Sequence, residues 1–245
     1  MNIDLILIII FYGLLLLFYL KHKNRFEIQA KIFALYKTKL GLKLMDKFAK
    51  KFPRFLKYFG YFGVFLGFVG MFFILKYLIQ GTYALLTVKN AIPVLAPVLP
   101  GVKIAGLPIL SFWYWIISIL VIAVVHEFSH GIYSRLYNVK IKSSGFAFLG
   151  PLLAAFVEPD EKELVKKSKI AQLSIFVAGS FSNILTAFVV LLLTIFLLNP
   201  AVSAIIEQKG VQIISLENGY PAYNAGLKEG DTILSVNNIS INTTD

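Results

Sequence analysis

A histidine, a glutamate and a second histidine stand in the order His126-Glu127-Phe128-Ser129-His130, at the end of an apolar stretch. On a helix, positions i and i+4 share one face about one turn apart, so two imidazoles so placed can grip one metal ion. Zn²⁺ suits such a pair. Glu127, one step round the helix, can then act as general base on water activated by the metal. Upstream, Leu110–Val125 contain no charged residue, and ionisable groups at the end of such a run are costly in lipid. The chain has three histidines, and two of them are in this pentapeptide. The competing reading is a helix end reaching the interface, its histidines hydrogen-bonded to neighbours.

These residues need a membrane scaffold. The chain is 58% hydrophobic and 15% charged, with a mean hydropathy of +0.75, whereas a soluble domain is about 25% charged. That composition fits an integral membrane protein. There is no cysteine, so disulfides are absent and metal ligands must be His, Asp, Glu or Asn. The net charge of +11 comes without the patches expected of a nucleic-acid binder. Contact with the headgroups of the lipid bilayer accounts for it.

Four apolar runs approach the ~20 residues that cross a bilayer: Ile3–Leu20, Phe59–Ile79, Leu107–Val125 and Ile170–Leu198. Between the first two, Lys21–Lys57 carry 12 Lys or Arg against Glu27 and Asp46. By the positive-inside rule this segment is cytoplasmic. Leu40, Leu44, Phe48 and Phe52 recur among its lysines, as in an interfacial amphipathic helix, although a solvated basic loop fits equally well. The N-terminus then lies outside, the third run carries HExxH inward, residues 138–169 are cytoplasmic, and the tail after Pro200 is outside. The expected organisation is an anchor (1–20), a basic segment (21–57), a membrane core (58–199) and a small outer part (207–245).

Two apolar segments are not helical by sequence. Ala91–Pro108 contains Pro93, Pro97, Pro100 and Pro108 and suits a stretch lying on the outer leaflet. Val139–Pro159 is interrupted by Gly145, Gly150 and Pro151. It suits a re-entrant hairpin beside the metal that could offer an edge strand to an extended substrate, or else a loop on the membrane surface. In the fourth run Gly179 and Ser182 are small enough to admit another helix or a peptide. Asn183 is an amide that needs a partner: substrate backbone, a developing oxyanion, or a neighbouring helix.

At this point the chain resembles the site-2 protease family of intramembrane zinc metalloproteases, over roughly residues 59 to 245. The match rests on His126–Gly131, on Phe156-Val157-Glu158-Pro159-Asp160-Glu161, on the GxxxN pattern Gly179–Asn183, and on Gly219–Ala222 with Ala225–Asp231. The last piece looks like the opening of a PDZ-like domain. The resemblance implies an all-α polytopic membrane protein with about four transmembrane helices, a re-entrant hairpin and the start of a small PDZ-like α+β domain. It implies regulated cleavage of transmembrane protein substrates in a multi-pass protein of the cell membrane. His126 and His130 would be metal ligands, Glu127 the catalytic base, and Asn183 a substrate- or oxyanion-binding group.

The same resemblance implies a third ligand, an aspartate, in a helix beyond Asp245. By that expectation the core held here is incomplete, and this chain alone would be an inactive fragment or a scaffold binding partners through its PDZ-like segment. Asp160 or Glu158 could reach the metal only if residues 139–159 fold back onto it.

The charge asymmetry makes a prediction. A cysteine introduced within Lys37–Lys51 should be shielded from an impermeant thiol reagent in intact cells, and one within Asn218–Lys228 should be labelled. The reverse pattern would overturn this orientation.

Overall fold

The computed structural model describes residues 3–29, 33–89, 95, 98–102, 109–149, 152–205, 210–217, 219–237 and 239–241. Two compact units divide the chain, residues 1–186 and 187–245.

The first unit holds the helices α1 (Ile3–His22), α2 (Leu42–Lys51), α3 (Pro53–Thr87), α4 (Phe112–Leu136) and α5 (Glu161–Leu164) and most of α6 (Lys169–Leu193), whose last residues belong to the second. Four helical stretches, Asp4–Arg25, Pro53–Thr87, Phe112–Leu136 and Lys169–Ile205, are long and apolar enough to cross a membrane. They expose large apolar side chains on most sides, such as Phe65, Phe72, Ile122 and Phe188, as lipid-facing helices do. The chain is an integral membrane protein. The spans outrun the apolar runs. α3 begins at Pro53 rather than Phe59, because proline is favoured in a first helical turn and Arg54 and Lys57 are good helix formers that hydropathy ignores. Much of the proline-rich segment 91–108 lies outside the described residues.

Small residues set the helix packing. A Cβ at Gly60 would stand 2.6 Å from the Tyr133 ring, one at Gly63 2.8 Å from Phe181, and one at Gly67 2.7 Å from Val177. On this face of α3, side chains of α6 and of the end of α4 therefore rest directly on the α3 backbone. Tyr133, Val139, Leu164, Ile175 and Ala178 form the buried cluster where these elements meet, with Leu56 and Leu136 packed on it. A second cluster, Phe112, Trp115 and Ile116, receives Ile8, Phe11 and Tyr12 of α1. Beside it Ser111 donates to Asp4 at 3.0 Å, so α1 and α4 start at the same end.

The expectation of an all-α core needs correction. Strands β1 (Phe26–Gln29), β2 (Phe33–Thr38), β3 (Ile141–Leu149) and β4 (Leu152–Pro159) form one antiparallel sheet in the order β1-β2-β3-β4. Residues 139–159 are a hairpin as expected, but the basic segment 21–57 supplies half of the sheet. Phe33-Ala34-Leu35-Tyr36-Lys37-Thr38 is rich in β-prone residues, and it pairs with Ser144–Leu149. Gly145 lets β2 approach, since a Cβ there would run into the Tyr36 carbonyl. Lys37 spans the sheet, bonding Glu27 on β1 at 2.6 Å and facing Glu158 on β4 at 3.6 Å. The Glu27 contact holds the Lys37 ammonium above its ordinary range.

The rest of the basic segment forms α2 as an amphipathic helix, but its inner face differs from the Leu40-Leu44-Phe48-Phe52 row. Met45 and Ala49 are buried, whereas Leu44 and Phe48 are largely exposed. The reason is Gly131 of α4, whose missing side chain leaves the space that Met45 fills.

In the second unit, a π-helical turn at Thr194–Leu198 precedes α7 (Asn199–Ile205). Pro200 accounts for it, because its ring displaces the carbonyl four residues earlier and leaves an i→i+5 spacing. The remainder holds α8 (Pro221–Asn224) and short paired strands β5 (Val211–Gln212) with β6 (Thr232–Ile233) and β7 (Ser235–Val236) with β8 (Ile239–Ser240). Gly226 and Gly230 adopt positive φ at the turns, as does Asn237 between β7 and β8.

The glycine stripe of α3 generates a prediction. Gly60→Ala should destabilise the protein by about 1–3 kcal/mol, because the Tyr133 ring cannot retreat. Gly70→Ala, where nothing lies within 4 Å, should be neutral or slightly stabilising. Thermal unfolding in detergent checks this, and equal losses for the two variants would refute the packing argument.

Candidate metal centre

His126, Glu127 and His130 lie in the second half of α4, where the helix meets β4 on one flank and α6 on another. An imidazole has two ring nitrogens, and inside a span both need partners. α6 occupies one nitrogen of each ring. His130 Nδ1 is 2.6 Å from the Ile175 carbonyl, to which it can only donate. His126 Nδ1 is 3.2 Å from the Asn183 side-chain amide.

The two Nε2 atoms turn to one place. A Cβ built on Gly179 would lie 2.5 Å from both His126 Nε2 and His130 Nε2. The two rings therefore meet directly over Gly179, their centroids 4.8 Å apart, and any side chain there would collide with both. With Nδ1–H given to Ile175, His130 presents a bare Nε2 lone pair, the arrangement metal-binding histidines adopt. Asn183 does the same for His126 in one of its two amide orientations. Among the described residues its Oδ1 is buried without a partner while Nδ2 faces the ring. A half-turn of the amide puts Oδ1 on Nδ1–H and frees the His126 Nε2 lone pair. The donor set thus fits a zinc ion on two of its ligands.

Glu127 points the other way round the helix, to the sheet. The Val157 backbone N–H donates to its Oε2 at 3.0 Å. β4 is an edge strand of the sheet, and Val157 turns its N–H outward to α4. Cavities open on both sides of β4. One of about 680 Å³ is lined by His130, Glu158, Leu164, Ile175 and Phe176. Another of about 110 Å³ is lined by Met45, Val124, Glu127, Phe128 and Phe146. Phe156 and Val157 face both.

The sequence-predicted residues fall into two sets. His126, His130 and Asn183 come together around Gly179, and Glu127 adjoins them on α4. Glu158 and Asp160 do not join them. Glu158 accepts from Ser143 Oγ at 2.6 Å and faces Lys37. Asp160 caps α5 by accepting from the Lys162 and Glu163 amides. Among the described residues no third His, Asp or Glu completes a ligand group. Two contributors escape sequence reasoning because they act through the backbone: the Ile175 carbonyl and the Val157 amide. A signal for the first does exist. Ile175, Gly179 and Asn183 are spaced i, i+4, i+8, one face of α6.

The profile of peptidase family M50 matches residues 114–238, just over half of the chain, including the HExxH pentapeptide, β3, β4 and α6. The chain is 28% identical to an uncharacterized protein of Methanocaldococcus jannaschii, an alignment that covers 99% of this chain and 63% of that protein. It thus spans less than two thirds of that relative's length. No solved structure matches the chain. An HExxH helix, an edge strand on its glutamate and a small-residue helix cradling its histidines accompany this match. The chain belongs to peptidase family M50, the site-2 protease family of metallopeptidases.

Proposed function

We propose that this chain carries the HExxH part of an intramembrane zinc metalloprotease that cleaves transmembrane segments of other membrane proteins. The observation that carries the reading is the convergence of His126 and His130 Nε2 in front of Gly179, with the Glu127 carboxylate on the same helix. When bound, zinc would polarise the scissile carbonyl and make water acidic. His126 and His130 would hold it through Nε2. Glu127 keeps one oxygen on the Val157 N–H, and the other takes the proton of the attacking water and returns it to the leaving amide nitrogen.

A helical substrate has each scissile carbonyl hydrogen-bonded and shielded, so it must unwind locally. β4 suits the unwound segment. By strand alternation Ala155 turns its N–H and carbonyl, and Val157 its carbonyl, to the same edge, where an extended peptide can add beside the Val157 N–H that Glu127 occupies. Asn183 acts as a positioning residue through His126 in this scheme. A direct role at the oxyanion needs its amide free of the ring.

The orientation read from charge gains support from pairing. β1 and β2 share a sheet with β3 and β4, and α2 packs on the last turns of α4. Residues 21–57 and 138–169 therefore belong to one side, which the positive-inside rule makes cytoplasmic. The outer segment after residue 207 is proposed as a PDZ-like tether or size filter.

Two measurements test these roles. In the full-length protein, Glu127→Gln should lower peptide cleavage by about 10²–10⁴-fold with zinc content unchanged. Cleavage at near the native rate would sink the assignment. Asn183→Ala should weaken zinc affinity by about 10–100-fold, as loss of a histidine's outer partner does. Unchanged affinity with a fall in kcat alone would move Asn183 to the oxyanion instead.

A further inference from the structure

Where α4 ends, two adjoining cavities of about 470 and 260 Å³ share Asp46, Lys50, Arg135 and Asn138 in their walls. The first adds Lys140, Glu163, Lys166 and Lys167, and the second adds Lys57. The two acids are already used. Asp46 meets Arg135 Nε at 3.1 Å, and Glu163 meets Lys140 Nζ at 3.3 Å. Glu163 also accepts the Lys140 backbone N–H at 2.8 Å, which holds its carboxyl below the ordinary range. Lys50, Lys57, Lys166 and Lys167 form no ion pair among the described residues. A roofless basin walled by four uncompensated ammonium groups repels itself, and an anion in it would relieve that repulsion.

The basin's position says which anion. Its cations come from corresponding ends of three candidate spans: Lys57 in the first turns of α3, Arg135 in the last turn of α4, and Lys166 and Lys167 just ahead of α6. That is the level of lipid headgroups. The same turns of α3 expose Phe55 and Tyr58, apolar surface on which acyl chains can lie. We infer that this basin binds a phosphate ester, supplied by the headgroup of an anionic phospholipid. Arg135, pinned by Asp46, marks its floor, and Lys50, Lys57, Lys166 and Lys167 close on the phosphate oxygens. This site is separate from the metal centre and does not rest on the protease reading. Its effect is to staple α2, the start of α3, the end of α4 and the approach to α6 together through one lipid.

Lipid binding to the purified full chain in neutral detergent tests it, by native mass spectrometry with phosphatidylglycerol, phosphatidylcholine of the same acyl chains, or inorganic phosphate. The native chain should prefer the first phosphatidylglycerol to phosphatidylcholine by at least about tenfold. The combined variant Lys50→Gln, Lys57→Gln, Lys166→Gln and Lys167→Gln should lose that preference. The control Lys21→Gln, Lys23→Gln, Lys43→Gln and Lys47→Gln removes equal charge and should keep it. Equal loss in both would mean diffuse attraction and overturn the site, as would no preference in the native chain. Inorganic phosphate binding alone and displacing the lipid at millimolar level would assign the basin to a soluble phosphate and overturn the lipid assignment. Should the fourfold variant fail to fold, Lys57→Gln and Lys167→Gln singly must each lower the preference, and no change in either would refute it.

Discussion

Everything around the HExxH helix depends on how closely α6 can approach it. Two imidazoles within a span present four ring nitrogens, and an unpartnered polar group there is costly. α6 answers two of them, through the Ile175 carbonyl and the Asn183 amide. That is possible only because Gly179, midway between them, has no side chain to hold the helices apart. The remaining two nitrogens then lie side by side over Gly179. The GxxxN pattern is therefore a spacing device: the glycine sets the distance, and the asparagine one turn on sets the ring.

The same economy governs the glutamate. The Val157 N–H sets the direction of the Glu127 carboxylate. That amide is available because β4 is an edge strand whose other side is committed to β3. Histidines and glutamate are thus oriented from opposite flanks, one by a helix and one by a sheet. Cavities open on either side of β4, one lined by His130 and the other by Glu127.

Much of this could be read from the sequence, because it depends on local pattern. HExxH, the apolar runs, Gly179–Asn183 and the hairpin at residues 139–159 are all short-range signals. What escaped it is long-range or borne by the backbone. Phe33–Thr38 read as part of a basic loop, since its charged neighbours hide a six-residue strand whose partner is distant in the chain. The inner face of α2 is not legible locally, because Met45 answers to Gly131, a residue on another helix. Asp160 and Glu158 were possible ligands by type. Only the fold shows that a helix cap and a Ser143–Lys37 pair engage them.

The pairing of β2 with β3 has a consequence for how the protein is made. Thr38 and Ser144 are bonded although 106 positions apart, with two candidate spans between them. At translation speeds of about 5–20 residues per second, β2 and β1 wait roughly 5–20 s for their partner. During that interval the nascent chain carries a bare two-stranded ribbon, the kind of edge that recruits wrong partners. Arg25 and Lys39 flank its strands, and charges beside an exposed edge disfavour pairing between copies, so part of the basic charge of residues 21–57 also guards the ribbon until β3 is synthesised.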